Sequence, residues 1–387
     1  MMTDEQVSLL EELGLAYTCG KLPSWFYLLW LSLQTVAPFK TSEKTTVRPL
    51  GMRNTLVKVF HKEVMVKNKM EIREFLEPVQ VGLSVSGSAL LTRCVSGVLN
   101  THTDFICFRI DLRNAFNEMS RRAVLDVLAN EPSLSHLVSF AALILSPEPA
   151  LETGGRKWGE TAEGLVQGDT PSGDLFAIGL QPDLLELDRA CRQGGGQAIA
   201  GHDDVFHMGP PHVVTPAVES FARAIHDRCH LQLQWDKSSI FAWNGELPAE
   251  GVELAGDVID GNYECGFDCY GVPVGTDKYI TKDLTGRADV IVSDAEKAKQ
   301  LLSCNRQALW RALRLSILTR FQYVCQHVSP SLCEPVAAWL DTKLWSVLEA
   351  ATGLAGHTQG RQGACWRLRG GLSCDWSWWQ VLPALGY

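Results

Sequence analysis

The chain has 387 residues, of which 46% are hydrophobic and 20% are charged, enough to bury the core of one large or two ordinary domains. Twelve cysteines without the spacing of a zinc site or a disulfide framework, and an acidic start without a secretory signal, predict an intracellular protein, either nuclear or cytoplasmic. A formal net charge of −9 counts against a nucleic-acid binder, because phosphate contacts need Lys and Arg.

Residues 1 to 39 form the first predicted region, a helical extension interrupted by Gly20 and Pro23. The apolar run from Trp25 to Phe39 is shorter than the ~20 residues of a membrane span and is broken by Pro38. We therefore expect a buried helix here and no contact with a membrane. This region carries no recognisable chemistry.

Two stretches are locally basic despite the acidic total. Lys40 to Arg73 contains nine Lys or Arg against three Glu, and Lys297 to Arg320 contains six basic residues and no acid. Thr55 to Leu76 within the first stretch has the pattern of one long amphipathic helix. The basic stretches suit a nucleic-acid partner, although solvated helix faces would have the same pattern.

An apolar run ends at a single acid in the stretch from Phe105 to Asn117, which reads FICFRIDLRNAFN. A strand that ends at Asp111 places the carboxylate at the end of the strand, where α/β sheets bind ligands. Ser120 is a predicted N-cap for the helix that follows.

A glycine-rich loop follows from Gly164 to Ile178, reading GLVQGDTPSGDLFAI. Its glycines permit close approach of the backbone to a ligand. A helix is predicted from about Ser172 to Arg192. Such a loop at the start of a helix suits the positioning of a base or nucleotide.

Two adjacent acids lie between short β-prone runs in the stretch from Gln197 to Gly209, which reads QAIAGHDDVFHMG. The like charges of Asp203 and Asp204 repel each other, and a divalent cation would remove that penalty. An Asp-rich surface turn is the alternative. If the two strands are neighbours, Asp111 and Asp203 could hold two Mg²⁺ ions about 3.5–4 Å apart, as in polymerases and nucleases.

Taken in this order, these stretches resemble the reverse transcriptases of non-LTR retroelements, over roughly residues 40 to 350. The resemblance is carried by the segments DLRNAF, VQGD, HDD and, from Tyr270 to Lys278, YGVPVGTDK. It implies an α+β right-hand polymerase with fingers, a palm of antiparallel sheet backed by helices, and a helical thumb. Fingers and palm would span 40–290 and the thumb 291–352, followed by a Trp- and Gly-rich tail of unknown role at 353–387.

The resemblance also implies roles for individual residues. Two Mg²⁺ or Mn²⁺ ions would be held by Asp111, Asp203 and Asp204, with Lys237 as proton donor to the leaving pyrophosphate. The nucleotide would be bound by Lys40, Arg48, Phe116, Gln167 and Gly168, with Phe116 as the steric gate against a 2′-hydroxyl. Template and primer would lie against Gln80, Gly82, Gly271 and Gly275. The implied partners are an RNA template, a DNA primer and dNTPs.

The sequence departs from this family in two places. Gly201 stands where the family has an aromatic residue, with His202 after it, and the loop proline comes one position late, at Pro171. Two alternatives to an active enzyme follow: a degenerate or domesticated copy that binds nucleic acid without catalysis, and an intracellular helical interaction protein.

Overall fold

A computed structural model describes residues 3–36, 50–246, 252–301, 305–317 and 319–352. Lys40, Arg48 and the tail 353–387 lie outside the described residues. No helix within those ranges is long and apolar enough to cross a membrane.

The chain divides into two compact units. The first comprises Met1–Ile240 and Leu247–Glu253, and the second comprises Phe241–Glu246 and Leu254–Tyr387. The predicted catalytic acids belong to the first unit, and the predicted primer-contacting glycines Gly271 and Gly275 belong to the second.

The first unit contains ten α-helices among its described residues. They are α1 (Asp4–Thr18), α2 (Ser24–Trp30), α3 (Thr55–Lys67), α4 (Lys69–Leu76), α5 (Gly87–Thr101), α6 (Ala115–Glu118), α7 (Arg121–Asn130), α8 (Val138–Leu145), α9 (Ser172–Gln193) and α10 (Pro211–Cys229). Its strands are β1 (Leu33–Val36), β2 (Leu50–Met52), β3 (Ile106–Ile110), β4 (Ala150–Thr153), β5 (Arg156–Glu160), β6 (Gln197–Gly201) and β7 (Asp204–Gly209). Strands β8 (Ser239–Ala242) and β9 (Glu253–Leu254) lie at the boundary between the units.

The second unit combines a small sheet with helices. Its described elements are β10 (Gly256–Ile259), β11 (Asn262–Cys269), β12 (Val272–Gly275), α11 (Asp277–Leu301), α12 (Arg306–Ala312), α13 (Thr319–Cys325) and α14 (Pro330–Thr352). Apolar residues of the long helices form its core, among them Leu284, Ala288 and Ile291 of α11 with Leu340 and Leu344 of α14.

Three antiparallel strands position the site. The strand order in the largest sheet is β6-β7-β3-β8-β9. Strand β3 pairs with β7 from Ile106↔Gly209 to Ile110↔Val205, and β6 pairs with β7 up to Gly201↔Asp204. The end of β3 and the β6–β7 turn therefore lie at the same edge of the sheet.

Long helices pack against this sheet and close the core. Helix α9 packs against β6, α7 and α10. A Cβ added at Gly179 would lie 2.8 Å from Val124 Cγ2, so the glycine permits α7 to approach α9 closely. The Arg228 guanidinium donates hydrogen bonds to Asp183, which joins α10 to α9. The predicted helix from Ser172 is confirmed at its first residue.

Two local predictions were wrong in detail. The pattern from Thr55 to Leu76 forms two helices, because Asn68 leaves the helical conformation with φ −103° and ψ 11° while its side chain donates to Val64 O at 2.7 Å. The apolar run from Trp25 begins with a short helix and continues as strand β1, and Leu29 is 62% exposed. The described part of this apolar run is thus only partly buried and does not form a single element.

The architecture mixes helices with mainly antiparallel sheets, which confirms the α+β class. The division into fingers, palm and thumb stays a prediction.

Candidate active site

Asp111 follows directly after β3, and its backbone is held on both sides. Its N–H donates to Ser238 Oγ at 3.1 Å, and its carbonyl accepts from Gln234 N at 2.8 Å. The side chain is exposed, at the end of a strand whose residues are otherwise mostly buried. Lys237 is exposed in the same turn, with Nζ 3.2 Å from Gln234 Oε1. The structure thus brings the predicted proton donor to the turn that binds the Asp111 backbone.

The double aspartate lies at the tip of the β6–β7 hairpin. His202 and Asp203 form the turn, and Asp204 is the first residue of β7. The β3–β7 ladder ends at Ile110↔Val205, so Asp111 and Asp204 are the next residues beyond its last pair. Asp111 and both hairpin acids therefore lie at the same end of the sheet, and the sharing of metal ions by Asp111 and Asp203 stays a prediction.

Gln80 contacts the double-aspartate turn. Its Oε1 accepts from the backbone N–H of His202 at 2.7 Å, and its Nε2 donates to the carbonyl of His202 at 3.1 Å. Gly82 lies close to the same residue, because an added Cβ there would be 2.8 Å from His202 Nε2. These two residues, predicted to lie beside the template, both lie against His202.

Phe116 is half-buried in the short helix after Asp111. Its ring stacks on Phe176 with a centroid distance of 4.8 Å. Its carbonyl accepts from Leu165 N at 2.6 Å, which ties the helix to the glycine-rich loop. A Cβ at Gly164 would lie 2.1 Å from Asn117 O, so this approach requires glycine. The Asp111 segment and the glycine-rich loop are therefore neighbours.

The loop also joins strand β2, which begins two residues after Arg48. Gly51 N donates to Gln167 O at 2.9 Å, and Gly168 is exposed with φ 95°. Gln167 Oε1 is buried without a hydrogen-bond partner among the described residues. Gln167, Gly51 and Asn117 line a groove of about 330 Å³. An unpaired buried amide oxygen suits a residue that awaits a polar ligand group.

Asp169 anchors the loop to the N-terminal extension. Its carboxylate accepts from Arg53 Nε and lies 3.3 Å from His61 Nδ1, and His61 Nε2 lies 3.0 Å from the Tyr17 hydroxyl. Burial opposes ionisation of Asp169, but the His61 hydrogen bond and the Arg53 charge outweigh it and lower the pKa to about 2. Burial raises the pKa of Tyr17 well above its usual range, which keeps the hydroxyl protonated. Helix α1 is thereby linked to the loop through buried polar contacts.

Sequence patterns did not single out Asp174, in the first turn of α9. Burial raises the pKa of its carboxyl to about 6, against the opposing charges of His202 and Lys69. Its only signal in the sequence is an acid at the start of a predicted helix. Gln234 and Ser238, which bind the Asp111 backbone, carry no sequence signal at all.

The donor chemistry of the site fits a divalent cation. Mg²⁺ prefers carboxylate oxygens and commonly uses one or two carboxylates together with substrate phosphates. No three or more His, Cys, Asp or Glu side chains are grouped to hold a metal ion in the part of the chain that the structure describes. A metal ion held by the acids at this end of the sheet stays a prediction.

In the second unit, the β11–β12 hairpin is held by Arg287 of α11. Its guanidinium donates to Gly271 O at 2.9 Å and to Asp268 Oδ2 at 2.6 Å, while Asp268 Oδ1 accepts from Gly271 N at 2.9 Å. Gly275 lies at the end of β12, where a Cβ would be 2.3 Å from Cys265 O. Gly271 has φ 81°, which disfavours a Cβ, so the hairpin itself requires glycine at both predicted primer-contacting positions.

Replacing Arg287 with Met should loosen this turn. The variant loses the guanidinium contacts to Gly271 and Asp268, which are partly exposed and together contribute up to about 1 kcal/mol. Hydrogen exchange of the Gly271 amide should accelerate by up to about fivefold. Arg122→Met is the control, because it removes an exposed ion pair with Asp126 in the first unit. It should leave the exchange rate of the Gly271 amide unchanged. Equal exchange in Arg287→Met and the unsubstituted protein would count against this role.

No protein-family model matches the sequence. The chain is 23% identical over 250 residues to the 132 kDa protein of the retrotransposable element SLACS of Trypanosoma brucei gambiense, a match that covers 63% of this chain and 20% of that protein. It therefore spans about a fifth of this relative's length. The telomerase of Candida albicans, solved in complex with the TWJ fragment of telomeric RNA, aligns with a TM-score of 0.46 and 11% identity over 85% of this chain and 62% of that chain. The chain is similar in sequence to a retrotransposon protein.

Proposed function

We propose that this chain is the RNA-directed DNA polymerase portion of a retroelement, which adds dNMP to the 3′-hydroxyl of a primer. The observation that carries the proposal is the convergence of Asp111 with the Asp203–Asp204 turn at one edge of the β6-β7-β3 sheet. Similarity to a retrotransposon protein supports it. In this proposal fingers and palm span 40–290, which includes the β10-β11-β12 sheet of the second unit, and the thumb spans 291–352.

Asp111 and Asp203 would hold two Mg²⁺ or Mn²⁺ ions, with Asp204 assisting their geometry. Such ions stabilise the attacking and leaving oxygens of in-line displacement at phosphorus. The protein's own contribution is to fix the carboxylates. The contacts of Gln234 and Ser238 to the Asp111 backbone position one acid, and the last pair of the β6–β7 ladder, Gly201↔Asp204, positions Asp204 and closes the turn that carries Asp203.

The incoming nucleotide would lie between the acids and the glycine-rich loop. Lys40 and Arg48 would neutralise its triphosphate, and the backbone at Gly168 would approach it closely. The unpaired Gln167 Oε1 would accept a hydrogen bond from template or nucleotide. Lys237 would donate a proton to the leaving pyrophosphate from the turn that binds Asp111.

Each unit would supply its own contacts to template or primer. Gly82, beside His202, would face the template, and the hairpin with Gly271 and Gly275 would support the primer. These contacts require no long side chains, because a glycine-containing backbone can approach nucleic acid closely.

Replacing Phe116 with Ala should weaken discrimination against ribonucleotides. Removal of the ring opens space where a 2′-hydroxyl would collide, and a steric pocket difference of this size is worth on the order of tenfold to a hundredfold. The measurement is the ratio of kcat/KM for dTTP and UTP on a poly(rA) template. Phe105→Ala removes a ring that stacks on His102 before β3 and should leave the ratio unchanged. An unaltered ratio in Phe116→Ala would remove the steric gate from the proposal.

Primer extension tests the proposed function itself. The protein should extend oligo(dT) on poly(rA) with dTTP when Mg²⁺ or Mn²⁺ is present, and should stop when the metal is chelated. Extension that is indifferent to the chelator, or no extension under any metal, would contradict the assignment.

A second candidate is a domesticated copy that binds nucleic acid without catalysis. The Gly201–His202 step favours it, because the resembled family has an aromatic residue at the position of Gly201. This candidate predicts duplex binding that weakens as salt rises, with no metal-dependent incorporation of dNMP.

A further inference from the structure

We propose that Gln80 is a positioning residue for the double-aspartate turn, which it holds through the backbone of His202. This inference rests on the proposed function, because the purpose of the turn is to present Asp203 to the reaction. Gln80 itself touches no reacting atom.

The carboxamide of Gln80 engages both polar backbone atoms of His202. Its Oε1 accepts from His202 N at 2.7 Å and from Gly82 N at 3.2 Å, and its Nε2 donates to His202 O at 3.1 Å. Gln80 is 1% exposed, so water does not compete for these bonds. These hydrogen bonds stabilise the turn beyond the last β6–β7 pair, Gly201↔Asp204.

The turn requires such support because of its backbone. His202 has φ 59°, in the left-handed region that residues with a Cβ seldom adopt. A strained residue of this kind persists only when its surroundings fix it. Asp203 comes directly after it, so freedom at His202 becomes freedom of the Asp203 carboxylate.

The segment that carries Gln80 is itself fixed. Val81 N donates to Ala200 O, and Ala200 N donates to Val79 O, both at 2.8 Å, which adds this segment to the outer edge of β6. Glu77 accepts from Arg73 Nε at 2.6 Å and from the Ser84 hydroxyl, closing the loop on either side. Gln80 is therefore a rigid support rather than a mobile surface amide.

Gly82 and Gly173 lie against the ring of His202, and both leave room for it because they have no Cβ. A Cβ at Gly82 would lie 2.8 Å from His202 Nε2, and one at Gly173 would lie 3.4 Å from His202 Cε1. His202 Nδ1 also lies 3.3 Å from Gly173 O. Backbone and ring of this residue are thus both enclosed, which fits a turn built to hold one conformation.

The chain offers a matched control in Gln181. This glutamine is also fully buried, and its Nε2 donates to Phe75 O at 3.0 Å and Leu76 O at 2.8 Å, at the base of the same segment. Gln80→Met and Gln181→Met each remove one buried carboxamide of similar size. Only the first removes contacts to His202.

Hydrogen exchange at single-residue resolution tests the positioning role without reference to activity. In Gln80→Met the His202 amide should exchange at least about tenfold faster than in the unsubstituted protein, whereas Gln181→Met should change it by no more than about twofold. The shorter amide of Gln80→Asn should act in the same direction as Gln80→Met if the latter does not fold. Unchanged exchange in both Gln80 variants, or equal acceleration in Gln181→Met, would overturn the proposal.

Primer extension supplies the second readout. Gln80→Met should lower kcat by about tenfold and raise the Mg²⁺ concentration for half-maximal rate, with the KM for dTTP unchanged. A loss of stability alone would instead lower the fraction of folded, active protein and leave the Mg²⁺ concentration for half-maximal rate unchanged. If the unsubstituted protein extends no primer, the proposed function fails, while the exchange measurement still decides whether Gln80 holds the turn.

Discussion

Replacing Asp203 with Asn should lower primer extension by about 10³-fold or more. The amide keeps the shape of the side chain but loses the charge that would hold a cation, and metal assistance contributes several kcal/mol to such reactions, each 1.36 kcal/mol being tenfold in rate. Asp111→Asn should have an effect of the same size. The measurement is single-turnover incorporation of dTMP on an oligo(dT)–poly(rA) duplex.

Asp260→Asn is the matched control for these variants. Asp260 is an exposed acid in the β10–β11 turn of the second unit, with φ 51°, a conformation that Asn adopts readily. Asp260→Asn should incorporate dTMP at a rate within about twofold of the unsubstituted protein, as expected of a substitution at the surface. Activity of Asp203→Asn comparable to that of Asp260→Asn would exclude Asp203 as a metal ligand.

Replacing Asp169 with Asn should destabilise the first unit by about 3–5 kcal/mol, because it leaves the Arg53 guanidinium buried without its acid. Both side chains are 3% exposed, so solvent cannot compensate. Urea unfolding measures the loss. Asp126→Asn breaks an exposed pair with Arg122 and should cost no more than about 1 kcal/mol. Equal losses in the two variants would mean that the buried ion pair contributes nothing beyond a surface pair.

The lowered pKa of Asp169 predicts that the stability of the first unit depends on pH. The carboxyl pKa in the folded protein is about 2, below the ordinary 3.8. The unfolded chain therefore binds the proton more tightly, and the stabilisation is fully present above about pH 4 and is lost as pH falls toward 2. Stability of the unsubstituted protein should decline across this window more steeply than that of Asp169→Asn. Parallel declines would assign the acid sensitivity to other groups.

The elements that carry strong local signals could be predicted from the sequence. Helix α9 begins at the predicted Ser172, and helix α7 follows Ser120, whose hydroxyl accepts from Ala123 N at 3.3 Å. The strand that ends before Asp111 and the hairpin with Asp203 were also predicted. These segments combine apolar periodicity with a cap or a turn, which fixes them locally.

Contacts between distant segments could not be predicted in this way. Nothing in the residues around Gln80 indicates that its side chain binds His202, and the Tyr17–His61–Asp169 chain joins residues more than a hundred positions apart. Such contacts depend on tertiary packing, which local patterns do not contain. The interruption at Asn68 was missed because the amphipathic pattern continues across it.

A double-substitution cycle on cation affinity tests the central claim most directly, namely that Asp111 and Asp203 hold the same ions. Mn²⁺ binding by electron paramagnetic resonance would be measured for the unsubstituted protein, Asp111→Asn, Asp203→Asn and the double variant, each with primer, template and dTTP. If the two acids share their ions, the double variant should bind Mn²⁺ little more weakly than either single variant. Losses that add independently, or two single variants that retain full Mn²⁺ affinity, would contradict the account.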